Sequence, residues 1–394
     1  MGFWSNLLER KASPETIRRD MMRVNQSSAG AFVSAETAMS VAAVYAAVRV
    51  ISETVGSLPL QIYKRENGGK RIATEHPLYS LLHDSPNEHQ TAMEFREMMQ
   101  ASLCLRGNAF AFINWVSDSR ASEMIPLMPD RVVVKIAADG TRSYELDAGS
   151  GHSKIVPASD ILHIRGLSSD GVLGRSVISD ARESIGVAIA TQEYAGKFYK
   201  NDATPGMVLK HPQKLTKDTA ERLRNSWDES FGGSSNVRKT AVLEEGMTAE
   251  RISMTAEDCQ FLETRKFQRS EIAGIFRVPP HMIGDLDRAT FGNIEHQSIE
   301  FVTHCIRPWL VRWEQSLSKA LFTAPGLYFP EHNVDGLLRG DIKSRYDAYA
   351  IGRNWGWLSA NDIRSRENLN PIADGDVYLQ PLNMNAAGSP QAGP

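Results

Sequence analysis

Residues Glu271–Phe322, EIAGIFRVPPHMIGDLDRATFGNIEHQSIEFVTHCIRPWLVRWEQSLSKALF, constrain the fold more tightly than any other stretch. Pro279 and Pro280 lack amide hydrogens and bias the residues before them away from helix, so a helix running into this segment has to end near Arg277. A polar loop punctuated by Gly284 and Gly292 follows. From Ile294 onward, Ile294, Ile299, Phe301, Val302, Ile306, Trp309, Leu310, Trp313, Leu317 and Leu321 recur at helical spacing. Pro308 lies inside that run and is expected to kink the helix rather than end it.

The pattern upstream alternates between helix and strand. Ser34–Gly56 reads as one helix with Val41, Val44, Tyr45, Val48, Ile51 and Val55 on one face. A strand LPLQIYKR and the turn ENGG follow. His76–His83 reads as a short helix. Thr91 and Glu94 form a capping box ahead of Phe95, Met98, Met99, Leu103 and Leu105. Strands are predicted at 107–116, 124–128, 132–136, 142–146 and 161–165, with Asp139-Gly140 as a hairpin turn. Residues 26–180 therefore read as an α+β unit with a mostly antiparallel sheet.

Ser179–Lys200 is the next long helix, carrying Ile185, Ala188, Ile189, Tyr194 and Phe198. A small insert follows: a strand GMVLKH, a helix opening near Thr216 and ending at Gly232-Gly233, and short strands KTAVLEEG and AERIS. Thr255 and Asp258 are placed to cap a helix over Asp258–Arg277. Near the C-terminus Asp341 and Ser359 read as helix N-caps, Asp362 completes a box with Ser359, and Pro371 stops the last helix.

A compact insert between two long helices, then a Pro-Pro stop, a loop and a kinked helix, resembles the bacteriophage portal proteins, the head-to-tail connectors of tailed phages, on their long-tailed branch. HIRGLSSDGVLGRSVISDARESI resembles the family's G-x-S turn into the first stem helix, and LLRGDIKSRYDAYAIGRNWGWLSANDIRSRENLNPIADGD its closing helical pair. The resemblance implies an α+β portal fold divided as follows: arm 1–25, wing 26–180, first stem helix 181–202 and small α/β clip 203–257. The second stem helix then spans 258–277, the tunnel loop 278–293, the kinked helix 294–323, and the wing return and helical crown 324–383. The tail 384–394 has a disordered composition.

It further implies a non-enzymatic ring, expected to be a dodecamer, at the portal vertex of the virion and assembled in the host cytoplasm. Double-stranded DNA would pass through it during packaging and ejection. Its partners would be the large terminase subunit, the major capsid protein and a head-tail adaptor. In portals the matching loop contacts DNA, which directs attention to His281, Asp285, Asp287, Arg288, Thr290 and Asn293. Stem candidates are Lys197, Lys200, Arg265, Lys266 and Arg269; with Glu193, Glu263 and Glu271 they suit either intersubunit ion pairs or a solvated face. On the clip, Lys217, Arg222, Arg224, Asp228 and Glu229 surround an apolar stripe ending in Trp227, and the clip's outer surface would receive the motor. Alternative readings are a neck adaptor or a DNA-processing enzyme.

Composition narrows the function. The 394 residues carry a net charge of −3, unlike a conventional, basic nucleic-acid binder. A twelve-subunit ring would carry about 12 × −3, or −36, which suits a conduit along which DNA slides. Cys104, Cys259 and Cys305 lie far apart without CxxC spacing, which argues against a disulfide framework or zinc site and for a reduced folding environment. No apolar run approaches the ~20 residues that span a bilayer, so no membrane role is expected.

No GxxxxGK, GxGxxG or GxSxG motif is present, so no cofactor is expected and the chain is not itself the ATP-driven motor. His296, Glu300 and His304 share one helix face but lack a further ligand. Asp285-Leu-Asp287 opens like a calcium loop, yet Thr290 stands where glycine is needed and His296 where glutamate is.

Overall fold

The computed structural model describes residues 25–66, 69–117, 120–147, 153–200, 207–212, 215–231, 246–251, 256–286, 297–334, 337, 342–367 and 369–379. The chain begins with helices α1 (Ala35–Ala38) and α2 (Ala42–Ser57), strands β1 (Leu60–Glu66) and β2 (Gly69–Ile72), and helices α3 (Tyr79–His83) and α4 (Ala92–Arg106). Strands β3 (Asn108–Ser117), β4 (Arg120–Leu127), β5 (Val132–Ile136), β6 (Arg142–Asp147), β7 (Ser153–Pro157) and β8 (Ile161–Arg165) follow. Next come α5 (Val177–Asp180), α6 (Arg182–Lys200), β9 (Met207–Lys210), α7 (Lys217–Phe231), β10 (Thr248–Arg251) and α8 (Ala256–Phe276). The last elements are α9 (Arg307–Leu321), β11 (Tyr328–His332), α10 (Ile342–Asn354) and α11 (Ala360–Arg366).

All strand pairs are antiparallel, but they make separate small sheets rather than one. In three of them β1 lies between β11 and β2, β3 between β4 and β8, and β6 between β5 and β7; β9 pairs β10 alone. The expected single helix over Ser34–Gly56 is broken. Ser34 caps α1 in a capping box with Thr37, and the chain leaves helical geometry before α2 restarts at Ala42. Strands β2, β7 and β11 were not anticipated, because each is short and lacks clean alternation. Tyr45 and Ile299, expected on apolar faces, are exposed.

The main core lies where α2 and α4 pack against α8, α9 and the β3 sheet, around Ile51, Phe95, Met99, Leu103, Ile164 and Trp313. Phe95 meets Trp313 edge-on at 6.4 Å, and Trp313 Nε1 donates to Gln100 Oε1 at 2.9 Å. Burying each large apolar side chain contributes about 1.5–3 kcal/mol. Arg96 is buried with them. Its Nε and Nη2 donate to the Gly56 carbonyl, and its Nη1 to the Leu82 carbonyl. One cation thus serves the C-terminal ends of α2 and α3, where unpaired carbonyls carry partial negative charge. Burial lowers its pKa to about 10, which leaves it charged at neutral pH.

The anticipated effect of Pro308 takes the form of a wider turn. Residues Phe301–Ile306 are π-helical, and the Arg307 amide reaches the Val302 carbonyl five residues back. The α-helix then resumes with Pro308 in its first turn, where its missing donor costs little. The helix runs on through the proline to Leu321.

Candidate functional site

Two long helices lead to the site. Gln268 of α8 donates to the Thr191 hydroxyl of α6 at 3.2 Å, and Ser184 of α6 donates to Glu271 of α8 at 2.9 Å. These bonds fix the register of the helix pair. Helix α8 then stops in two hydrogen bonds, Arg277 N–H to Gly274 at 3.1 Å and Val278 N–H to Ala273 at 2.9 Å. That is a Schellman cap, with Arg277 at φ 57 where glycine is usual. Val278 and Ala273 are both buried, supplying the apolar contact that accompanies such caps. The sequence placed this stop within a residue, since α8 ends at Phe276.

Beyond the stop, Pro280–Ile283 form one 3-10 turn that ends at Gly284, φ 84. Three polar links hold this turn. Arg269 donates to the Gly284 carbonyl at 3.2 Å, Ser270 donates to Asp285 Oδ2 at 3.1 Å, and His281 Nδ1 lies 2.8 Å from Gln297 Oε1. Because an amide oxygen only accepts, the His281 bond requires a proton on Nδ1. The last link joins the two sides of the loop, so the segment between Leu286 and Gln297 leaves from a base fixed on both flanks.

The expected site residues divide accordingly. His281 and Asp285 are half-buried and belong to the base of the loop. Asp287, Arg288, Thr290 and Asn293 lie outside the described residues. Arg269, expected as a stem cation, lies exposed on α8 and donates to the loop base. Arg265 and Lys266 are exposed on α8, and Lys197 is exposed on α6 with Glu193 one turn away at 4.0 Å. Such an exposed i,i+4 pair is worth little and fits a solvated face. Lys200 lies at the end of α6, with its side chain outside the described residues, as are those of Arg224, Asp228 and Glu229. On α7, Lys217 and Arg222 are exposed. Ser270 and Gln297 went unnoticed in the sequence, and no local signal marks either one.

Beneath the loop Cys305 is buried and donates its thiol to the Phe276 carbonyl at 3.5 Å. Burial raises its pKa to about 12, and that of Cys104 likewise, so neither is a thiolate nucleophile at neutral pH. Among the described residues no group of three or more His, Cys, Asp or Glu could hold a metal ion, and no helix is long and apolar enough to cross a membrane. His296 lies outside the described residues, while Glu300 and His304 are exposed.

The rest of the scaffold is as tightly fixed where β8 turns toward α6. Asn108 Oδ1 accepts the Gly174 amide at 2.8 Å, and Asn108 Nδ2 donates to the Gly174 carbonyl at 2.8 Å. His163 bridges Asn108 Oδ1 and the Tyr144 hydroxyl at 3.1 Å each and stacks near Phe110 at 4.3 Å. Burial, with Arg165 and Arg142 adding repulsion, lowers its pKa to about 3, so it is neutral.

The family model described as phage portal protein matches residues 42–368. A probable portal protein of Streptomyces phage phiC31 is 34% identical over 418 residues, spanning 98% of this chain and 90% of that protein. The portal protein of Enterobacteria phage HK97 is 32% identical, spanning 88% of this chain and 83% of that protein. Among solved structures, a chain from the neck of a native gene transfer agent particle, computed with C12 symmetry, superposes with a TM-score of 0.62 at 21% identity. That match covers 90% of this chain and 99% of the other.

Proposed function

The chain belongs to the phage portal protein family, and from that premise we propose that about twelve copies close head to tail into a ring through which double-stranded DNA passes. Membership makes the chain a structural component of a virion. In this reading residues 278–293 are the tunnel loop, α6 and α8 are the stem, and the part around α7 is the clip. The observation that carries it is the clamped base. Arg269–Gly284, Ser270–Asp285 and His281–Gln297 hold the root of the loop in place.

The mechanism is geometric rather than catalytic. Asp285, Asp287 and Arg288 give the loop mixed charge, so the grip on phosphate is weak and DNA slides. Exposed Lys217 and Arg222 belong to the clip surface that receives the large terminase subunit and later the head-tail adaptor. The major capsid protein surrounds the ring at its vertex. Negative-stain imaging with native mass spectrometry of the purified chain tests the assembly: rings with a central hole are expected, and monomers or dimers alone at micromolar concentration would refute it. Deleting residues 287–296 is expected to leave rings intact while impairing packaging or genome retention.

A further inference from the structure

The C-terminal helical unit exposes most of its large apolar side chains. Among described residues 345–379 only Leu358 is a buried large apolar side chain, beside Ser359 and the tightly packed Gly352 and Gly375. Trp355 is 56% exposed and Trp357 62%, with Ile351, Val377 and Leu379 exposed as well.

These five residues lie on adjoining stretches of backbone. Ile351 precedes Trp355 by four residues, one helical turn. Arg353 Nη1 donates to the Val377 carbonyl at 2.6 Å, which draws Val377–Leu379 against the end of α10. Gly356, at φ 76 between the two tryptophans, lies so close to Leu379 that a Cβ there would stand 2.0 Å from the Leu379 carbonyl oxygen. The turn and the returning segment therefore bring five exposed apolar residues onto neighbouring backbone.

We infer that this surface, Ile351, Trp355, Trp357, Val377 and Leu379, is covered by a second copy of the chain in the assembled ring. The inference rests on the ring proposed above. A unit of under forty residues that buries one large apolar side chain cannot stabilise itself and needs a neighbour. The exposed parts of the five side chains amount to on the order of 500 Å², more than half of the ~800 Å² each partner contributes to a standard interface. In a ring every unit stands at the same height beside an identical one, so a copy is present at high local concentration.

Hydroxyl-radical footprinting of the full chain, as intact rings and as dissociated subunits, reads the surface directly. Trp355 and Trp357 are expected to oxidise roughly fivefold more slowly in rings, as a fall from over half exposed to buried implies. Equal oxidation in rings and subunits would overturn the inference while leaving the ring standing. Protection in both states would also overturn it, assigning the cover to this chain itself, with Phe3, Trp4, Leu7 and Leu8 as the apolar candidates. Absence of rings in native mass spectra of the wild type would instead sink the proposed function. A Trp355→Ser/Trp357→Ser variant that keeps its circular dichroism is expected to weaken each subunit contact by about tenfold or more. An unchanged dissociation profile would count against the inference.

Discussion

The carbonyl of Gly107 accepts the amide hydrogen of Gly166 at 2.7 Å, and at this crossing a Cβ on Gly166 would stand only 3.2 Å from that carbonyl oxygen. Gly107 ends α4 at φ 72, and a Cβ there would stand 2.1 Å from the Arg175 carbonyl oxygen. Gly174 is as tight, since its Cβ would stand 1.9 Å from the Gly107 carbonyl oxygen.

Gly107→Ala combines left-handed strain with a backbone clash, and a loss of about 3 kcal/mol or more is expected. Gly140→Ala, at φ 86 in open space, carries the strain alone and should lose only about 1–2 kcal/mol. Chemical denaturation of both variants measures the difference, which is the contribution of the crossing.

Arg277 invites the opposite substitution. Arg277→Gly relieves the strained φ and makes the helix cap conventional, but gives up a cation at a helix C-terminus and loosens the unfolded chain. A net gain of about 0.5 kcal/mol is expected, whereas Arg277→Ala, which keeps the strain, should be less stable than wild type. Thermal unfolding in the order Gly, Arg, Ala from most to least stable would support this. A Gly variant below wild type would mean the arginine side chain matters more than its backbone.

His163 sets a pH dependence. Its folded pKa of about 3 lies below the ordinary value of 6.5, so between those values the unfolded chain binds a proton that the folded chain excludes. Its contribution is therefore fully present above pH 6.5 and lost as pH falls toward 3. Between pH 7 and 5 wild type should lose up to about 2 kcal/mol more than His163→Gln. Parallel pH profiles for the two proteins would show that His163 does not discriminate.

The loop prediction turns on charge. Asp287→Lys adds two positive charges per subunit, so a ring bearing it should hold DNA more tightly, with a steeper loss of binding as salt rises. Packaging should slow. His281→Ala removes the link to Gln297 without changing the charge pattern of the tip, and should impair genome retention while rings persist. Normal phage yield from both variants would remove the loop from the mechanism.

What the sequence revealed was mostly local. The Thr91–Glu94 and Ser359–Asp362 capping boxes both form, because each is decided by four adjacent residues. The Pro-Pro stop was equally legible, although its Schellman geometry with Arg277 was not. Pairings across the chain were hidden: nothing in YFPEH announces that Tyr328–His332 completes the edge of β1, and nothing in Ser270 points to Asp285. The division into separate sheets escaped for the same reason, since strand patterns give faces but not partners. The tip of the loop was read from residue type alone, which is why charge experiments bear on it more directly than geometry does.

The pairing of β1 with β11 also sets a timetable. Leu60 emerges from the ribosome long before its partner His332, and at ~5–20 residues per second the wait is on the order of tens of seconds. Trp313, which fills the core beside Phe95, arrives similarly late. A nascent or truncated chain lacking residues 307–332 therefore leaves one edge of β1 without its strand and the core without its tryptophan. Such a chain could not present the finished surfaces that assembly requires. Translation past His332 is therefore needed before the β1 edge and the core around Trp313 can close.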